Sequence, residues 1–96
     1  MEFEFTGEIW HWRGPAPFHF VTVPAEPSAD IEALATAVSY GWGMIPVRAR
    51  IADTEWTTSL FAKDGGYVLP VKSAVRQAEE LELGHTVTVR LTVLDP

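Results

Sequence analysis

The stretch Trp56-Thr57-Thr58-Ser59-Leu60-Phe61-Ala62-Lys63-Asp64-Gly65-Gly66-Tyr67-Val68-Leu69-Pro70-Val71-Lys72-Ser73-Ala74-Val75-Arg76 carries a strand, a turn, a second strand and the start of a cationic helix. Trp56 to Phe61 reads as a strand, and Lys63-Asp64-Gly65-Gly66 as the turn after it. The paired glycines supply positive φ without steric cost. Tyr67 to Pro70 is a short return strand. The spacing of Val71, Ala74, Val75 and Ala78 then predicts an amphipathic helix over Lys72–Leu81. Aromatic, hydroxyl and basic side chains crowd this segment more densely than a fold alone requires, which marks it as the place for a site.

The flanks continue the β pattern. Downstream, Gly84-His85 turns into a strand in which Val87, Val89, Leu91 and Val93 alternate with Thr86, Thr88, Arg90 and Thr92. Upstream, Ala52-Asp53-Thr54-Glu55 is a turn. Pro46 to Ile51 is the strand before it, with Val47, Ala49 and Ile51 inward and Arg48 and Arg50 outward. Trp42, Gly43 and Met44 read as a loop. Before them Ser28 is the candidate N-cap of a helix whose apolar seam is Ile31, Leu34, Ala35 and Val38, closed by Gly41. Phe18 to Val23 reads as a strand bounded by Pro24, and Gly14-Pro15-Ala16-Pro17 as a break. Glu2 to Ile9 alternates Phe3, Phe5, Gly7 and Ile9 with Glu2, Glu4, Thr6 and Glu8, a half-buried strand that Trp10-His11-Trp12-Arg13 extends. The order is β-β-α-β-β-β-α-β. Six short strands are too few for a deep sandwich, whereas closure removes exposed edges. The predicted class is mainly β (α+β): a closed or pseudo-closed, mostly antiparallel six-stranded barrel with two short helices, residues 1–96 forming one domain.

Composition narrows the function. Cysteine is absent, which excludes disulfides and thiol chemistry. The net charge of −6 argues against nucleic acid as a partner, since an acidic surface repels phosphate. No apolar run is long enough for a membrane helix, and the acidic N-terminus is unlike a secretory signal, so the expected location is cytoplasmic with no membrane contact. His11, His19 and His85 lack paired ligand spacing, so neither metal nor cofactor is expected.

The runs Trp56–Phe61, Gly65-Gly66-Tyr67-Val68-Leu69-Pro70-Val71-Lys72, Val75-Arg76-Gln77-Ala78-Glu79 and Gly84-His85-Thr86-Val87 resemble the bacterial domain-of-unknown-function family nineteen-oh-five. The likeness is close over residues 43–93 and looser over 1–42, where Phe3, Phe5 and Pro24 still fit. It implies a small β-barrel, found alone or joined to a bacteriocin-protection domain, and supplies no activity. The family's turn before the last strand usually reads Gly-Asp; here it is Gly84-His85. A second likeness, from Leu69-Pro70-Val71 through Val75-Arg76 to Gly84 and the Val-rich strand, is to the looped-hinge half-barrel of AbrB and MazE transcription factors.

Three functions follow as expectations. The first is a non-enzymatic barrel that binds a small anionic ligand or a partner, through Trp42, Trp56, Ser59, Tyr67, Lys72 and Arg76. Lys72 and Arg76 sit one turn apart on the second helix, with the free N–H groups of its start beside them. The plain alternative for them is a solvated face with Arg76 paired to Glu79 or Glu80. Trp42 suits a pocket rim, and Trp56 also fits a core position by alternation. Trp10 and Trp12, flanking His11, form an aromatic ridge compatible with a homodimer. The second function is a nucleic-acid-binding regulator of the swapped-barrel type. The third is a small hydrolase using Ser59 or Thr58 with His85 or His19 as base, although no G-x-S-x-G elbow is present.

Overall fold

The computed structural model describes residues 2–13, 18–38 and 44–94. The expected break at Gly14–Pro17, the helix stop at Gly41, the Trp42 site and the side chains of Leu34, Ala35 and Val38 lie outside the described part. Along the chain run β1 (Glu2–Trp12), β2 (Phe18–Thr22), α1 (Ala25–Val38), β3 (Ile45–Ile51), β4 (Thr54–Lys63), β5 (Gly66–Pro70), α2 (Ser73–Ala78) and β6 (Thr86–Val93). The strands close into a barrel in the order β1-β2-β5-β4-β3-β6, and every neighbouring pair is antiparallel.

Two long strands make closure possible with so few residues. β1 pairs with β6 from Glu2↔Thr92 to Glu8↔Thr86, then passes to β2 from Ile9↔Val21 to Trp12↔Phe18. β4 pairs with β3 from Thr54↔Ile51 to Leu60↔Ile45, then with β5 from Phe61↔Val68 to Lys63↔Gly66. Gly7 stands where β1 changes partner. A Cβ there would lie 2.8 Å from Val21 Cγ1, closer than carbon atoms pack, so only glycine lets the two strands approach in this way.

The inward faces follow the alternation that the sequence shows. Val47, Ala49 and Ile51 of β3 meet Val89, Leu91 and Val93 of β6, with Trp56, Leu60, Leu69 and Ile9 completing the filling. Ile31 of α1 and Val75 of α2 close the core. Each such aliphatic side chain contributes about 1.5–3 kcal/mol by leaving water.

The helices and turns differ from the sequence expectation in instructive ways. α1 starts at Ala25, because the Pro24 carbonyl already accepts the Ser28 N–H at 3.0 Å. Pro27 fits the first turn, where its missing N–H has no partner to lose. Ser28 is therefore inside the helix and not its cap; its buried hydroxyl donates to the Val23 carbonyl at 3.1 Å. α2 spans six residues and stops short of Leu81. Glu80 takes a left-handed φ of 52°, Leu81 N–H returns to Arg76 O at 2.8 Å, and Leu81 turns down onto the core. The β4–β5 hairpin places its positive φ values at Asp64 (51°) and Gly65 (81°), while Gly66 belongs to β5. This Asp-Gly pair suits a two-residue hairpin whose turn twists with the strands.

Candidate functional site

β4 and β5 part company beyond the Phe61–Val68 pair. Pro70 has no N–H to offer the ladder, and the chain then turns into α2. Extending the register along β4 would set Thr57 opposite Lys72, and there a side chain replaces the backbone: Lys72 Nζ donates to Thr57 O at 2.8 Å. From inside, Trp56 Nε1 donates to Pro70 O at 3.2 Å. Beside this laced seam lies a cleft of about 320 Å³.

Part of the lining is apolar: Phe18 of β2, Phe61 of β4, then Pro70 and Val71. The rest is polar and cationic: His19, Thr58, Lys72, Ser73 and Arg76. Arg76 Nε donates to Val71 O at 3.3 Å, which holds the guanidinium at the cleft and leaves its other N–H groups to spare. Among the described residues neither Lys72 nor Arg76 has a carboxylate within 4.0 Å. The expected pairing of Arg76 with Glu79 does not form, because Glu79 Oε2 accepts from Thr54 Oγ1 at 2.6 Å and so ties α2 to β4. His19 faces His11 across the β1–β2 pair, ring centroids 5.0 Å apart. Burial, then the Arg76 charge, then His11 lower its pKa from 6.5, so the imidazole is neutral at pH 7 and offers one donor and one acceptor.

The residues singled out in the sequence are only partly brought together. Lys72 and Arg76 share the cleft. Trp56 is 7% exposed and belongs to the core behind it. Ser59 points to the other face of β4 from Trp56 and pairs in register with Pro46; the hydroxyl in the cleft is its neighbour Thr58. No hydrogen bond among the described residues joins Ser59 to a histidine. Tyr67 lines a different cleft, of about 400 Å³, with Trp10, Glu32 and Asp64. Burial and then Glu32 raise its pKa from 10.0. The six-residue α2 also removes the helix-end N–H groups from the argument, since so short a helix has little dipole to lend.

Phe18 and Phe61 are the site residues that sequence reasoning missed, while Thr58 and His19 entered it only as a candidate nucleophile and base. One signal was available: His11 and His19 lie in consecutive strands at a spacing that sets them opposite each other if the hairpin pairs. The expected ridge is present as part of something larger. Trp10 packs on Phe20 (5.3 Å), Phe20 on Phe18 (5.6 Å), and Phe61 stands edge-on to both phenyl rings. Trp12 is 39% exposed, with Lys63 Nζ 5.8 Å from its ring centroid.

The family model described as Domain of unknown function (DUF1905) matches residues 5–91, from β1 into β6. The chain belongs to this family. No curated protein matches it. The match takes in the seam, the cleft and the turn before β6. At that turn, where the family resemblance leads to an aspartate, His85 Nδ1 accepts the Glu82 N–H at 3.1 Å, the structural duty of a turn acceptor. Among the described residues no helix is long and apolar enough to cross a membrane.

Proposed function

We propose that this barrel is a binding module for a small organic anion, held in the cleft between β2, β4 and α2. The observation that carries the reading is the convergence of Lys72 and Arg76 on one cleft where, among the described residues, neither has a carboxylate within 4.0 Å and no acidic side chain joins the lining. A guanidinium held by its Nε and an ammonium held by one proton still present several donors toward a carboxylate or phosphate. Thr58 and Ser73 hydroxyls and the neutral His19 can complete the ring of donors. The larger cleft carries Glu32 and Asp64 beside the single cation Lys63, itself 3.8 Å from Asp64, and suits the same ligand less well.

The test is thermal melting and calorimetry against acetate, succinate, sulfate and inorganic phosphate, with the wild type, Arg76→Ala and Lys72→Met. A ligand at one hundred times its dissociation constant adds about 2.7 kcal/mol, a shift of several degrees in a domain this small. Arg76→Ala should lose that shift. Lys72→Met should lose it too, after allowance for the lost Thr57 bond, about 0.5–1.5 kcal/mol of apo stability. Identical anion responses in all three proteins would end the proposal.

A further inference from the structure

We infer that the cleft selects anions that carry a planar aromatic ring, the chemistry shared by nucleotides and aryl carboxylates. The inference rests on the anion reading and adds the other half of the ligand. An inorganic anion would leave most of the roughly 320 Å³ to water, whereas pockets for organic ligands begin at about this size. The apolar part of the lining is aromatic and preset. Phe18 stacks on Phe20 with an interplanar angle of 23°, and Phe61 meets Phe18 at 75° and Phe20 at 85°. Phe20 is buried and, with Phe61, packs on Phe18, while Phe18 itself stays 37% exposed beside the cleft. A ring already held by its neighbours loses little side-chain freedom when a second ring packs on it. Pro70 and Val71 add to the apolar lining beside Lys72 and Arg76, so rings and charges share one cleft. A bare carboxylate or phosphate gains nothing from the apolar lining; a ring attached to it does.

The experiment is calorimetric titration of the full chain with matched probes. Adenosine 5′-monophosphate and benzoate carry ring and charge, ribose 5-phosphate and acetate carry charge alone, and adenosine carries the ring alone. At least one ring-bearing anion should bind about tenfold or more tighter than its ringless counterpart, since stacking on an aromatic side chain is worth that much. Phe18→Ala should lose about that factor for the ring-bearing anion and leave ringless anions unchanged. Phe18→Leu, which keeps apolar volume without a ring, should behave in the same way and guards against a folding defect in the alanine variant. The nucleotide and benzoate arms tell the two ligand sources apart, and tight binding of either supports the inference. Equal affinities for ring-bearing and ringless anions would overturn it and leave the anion site standing, as would binding indifferent to both Phe18 variants. If adenosine equals its monophosphate, or if no probe binds, the anion reading falls and the inference with it.

Discussion

Where β1, β6 and β3 face outward, charge meets charge: Arg90 Nε lies 3.1 Å from Glu4 Oε2, and Arg48 Nε lies 3.8 Å from Glu55 Oε1. Where the far end of β1 joins β2, β5 and β4, rings meet rings, and the cations beside them are Lys63, Lys72 and Arg76. Both faces are built from the same two long strands. β1 carries Glu2, Glu4 and Glu8 outward on one half and Trp10 and Trp12 on the other; β4 changes from Glu55 to Phe61 and Lys63. Inward positions are set by the core and say little about role. Outward positions are free to vary, and a surface that sets aromatic rings beside Lys72 and Arg76, which have no carboxylate partner among the described residues, needs an explanation that a solvated ladder of opposite charges does not.

The largest effect tests the inward–outward assignment on which the contrast depends. Val89 is fully buried on β6 opposite Phe5 and Ile51, while Thr88 is exposed beside Arg50 and Arg90. Val89→Asp buries a charge with no partner, a cost of several kcal/mol that is comparable to the whole stability of a small domain. It should fail to fold, while Thr88→Asp melts close to wild type. Similar melting of the two would break the register.

Next comes the contrast itself. Phe20→Ala removes the ring at the centre of the aromatic face and should cost about 3–5 kcal/mol in urea unfolding. Arg90→Ala removes an exposed pair and should cost no more than about 1 kcal/mol. If the arginine proved the costlier, the charged face would be the structural one.

A smaller effect belongs to the junction of the two faces. Gly7→Ala forces a Cβ against Val21 and should cost about 1–3 kcal/mol, a drop in melting temperature that Gly7→Ala combined with Val21→Ala should partly recover. No recovery would mean that the crossing tolerates no side chain for another reason.

The smallest effect is one of pH. The His19 pKa is lowered in the fold, so the folded state takes up its proton later than the unfolded chain does. Its contribution is fully present above the unfolded value of 6.5 and is lost as pH falls through the lower folded value. His19→Gln should therefore flatten the decline in stability between pH 7.5 and pH 5.5. An unchanged slope would show that neither burial nor Arg76 and His11 perturb His19 in the fold.

The barrel, its element order and the parity of most strands could be read from the sequence, because alternation over Glu2–Ile9, Pro46–Ile51 and Thr86–Val93 reports burial directly. Helix ends could not. Pro24 and Glu80 act through backbone geometry that the local pattern does not announce. The cleft was half visible. Lys72 and Arg76 are neighbours along one segment, but Phe18 and His19 reach them only through the β2–β5 pairing, a contact that neither segment encodes by itself. Trp56 and Tyr67 were drawn into the expected site by their size, and the inward parity of their strands sends both side chains elsewhere.

The pairing of Glu2 with Thr92 joins strands from the two ends of the described chain. The β3–β4 and β4–β5 hairpins can zip from short turns, yet the ring shuts only when β6 finds β1 across most of the described chain. Pairings of such long sequence separation place folding in the millisecond-to-second range. Until then both strands present open edges, on which a second chain could add. Glu2, Glu4 and Glu8 line β1 during that interval, and two unfinished barrels meeting edge to edge would bring like charges together. The acidic row, of which Glu4 pairs with Arg90 in the finished surface, thus also guards the open edge of β1 before the barrel closes.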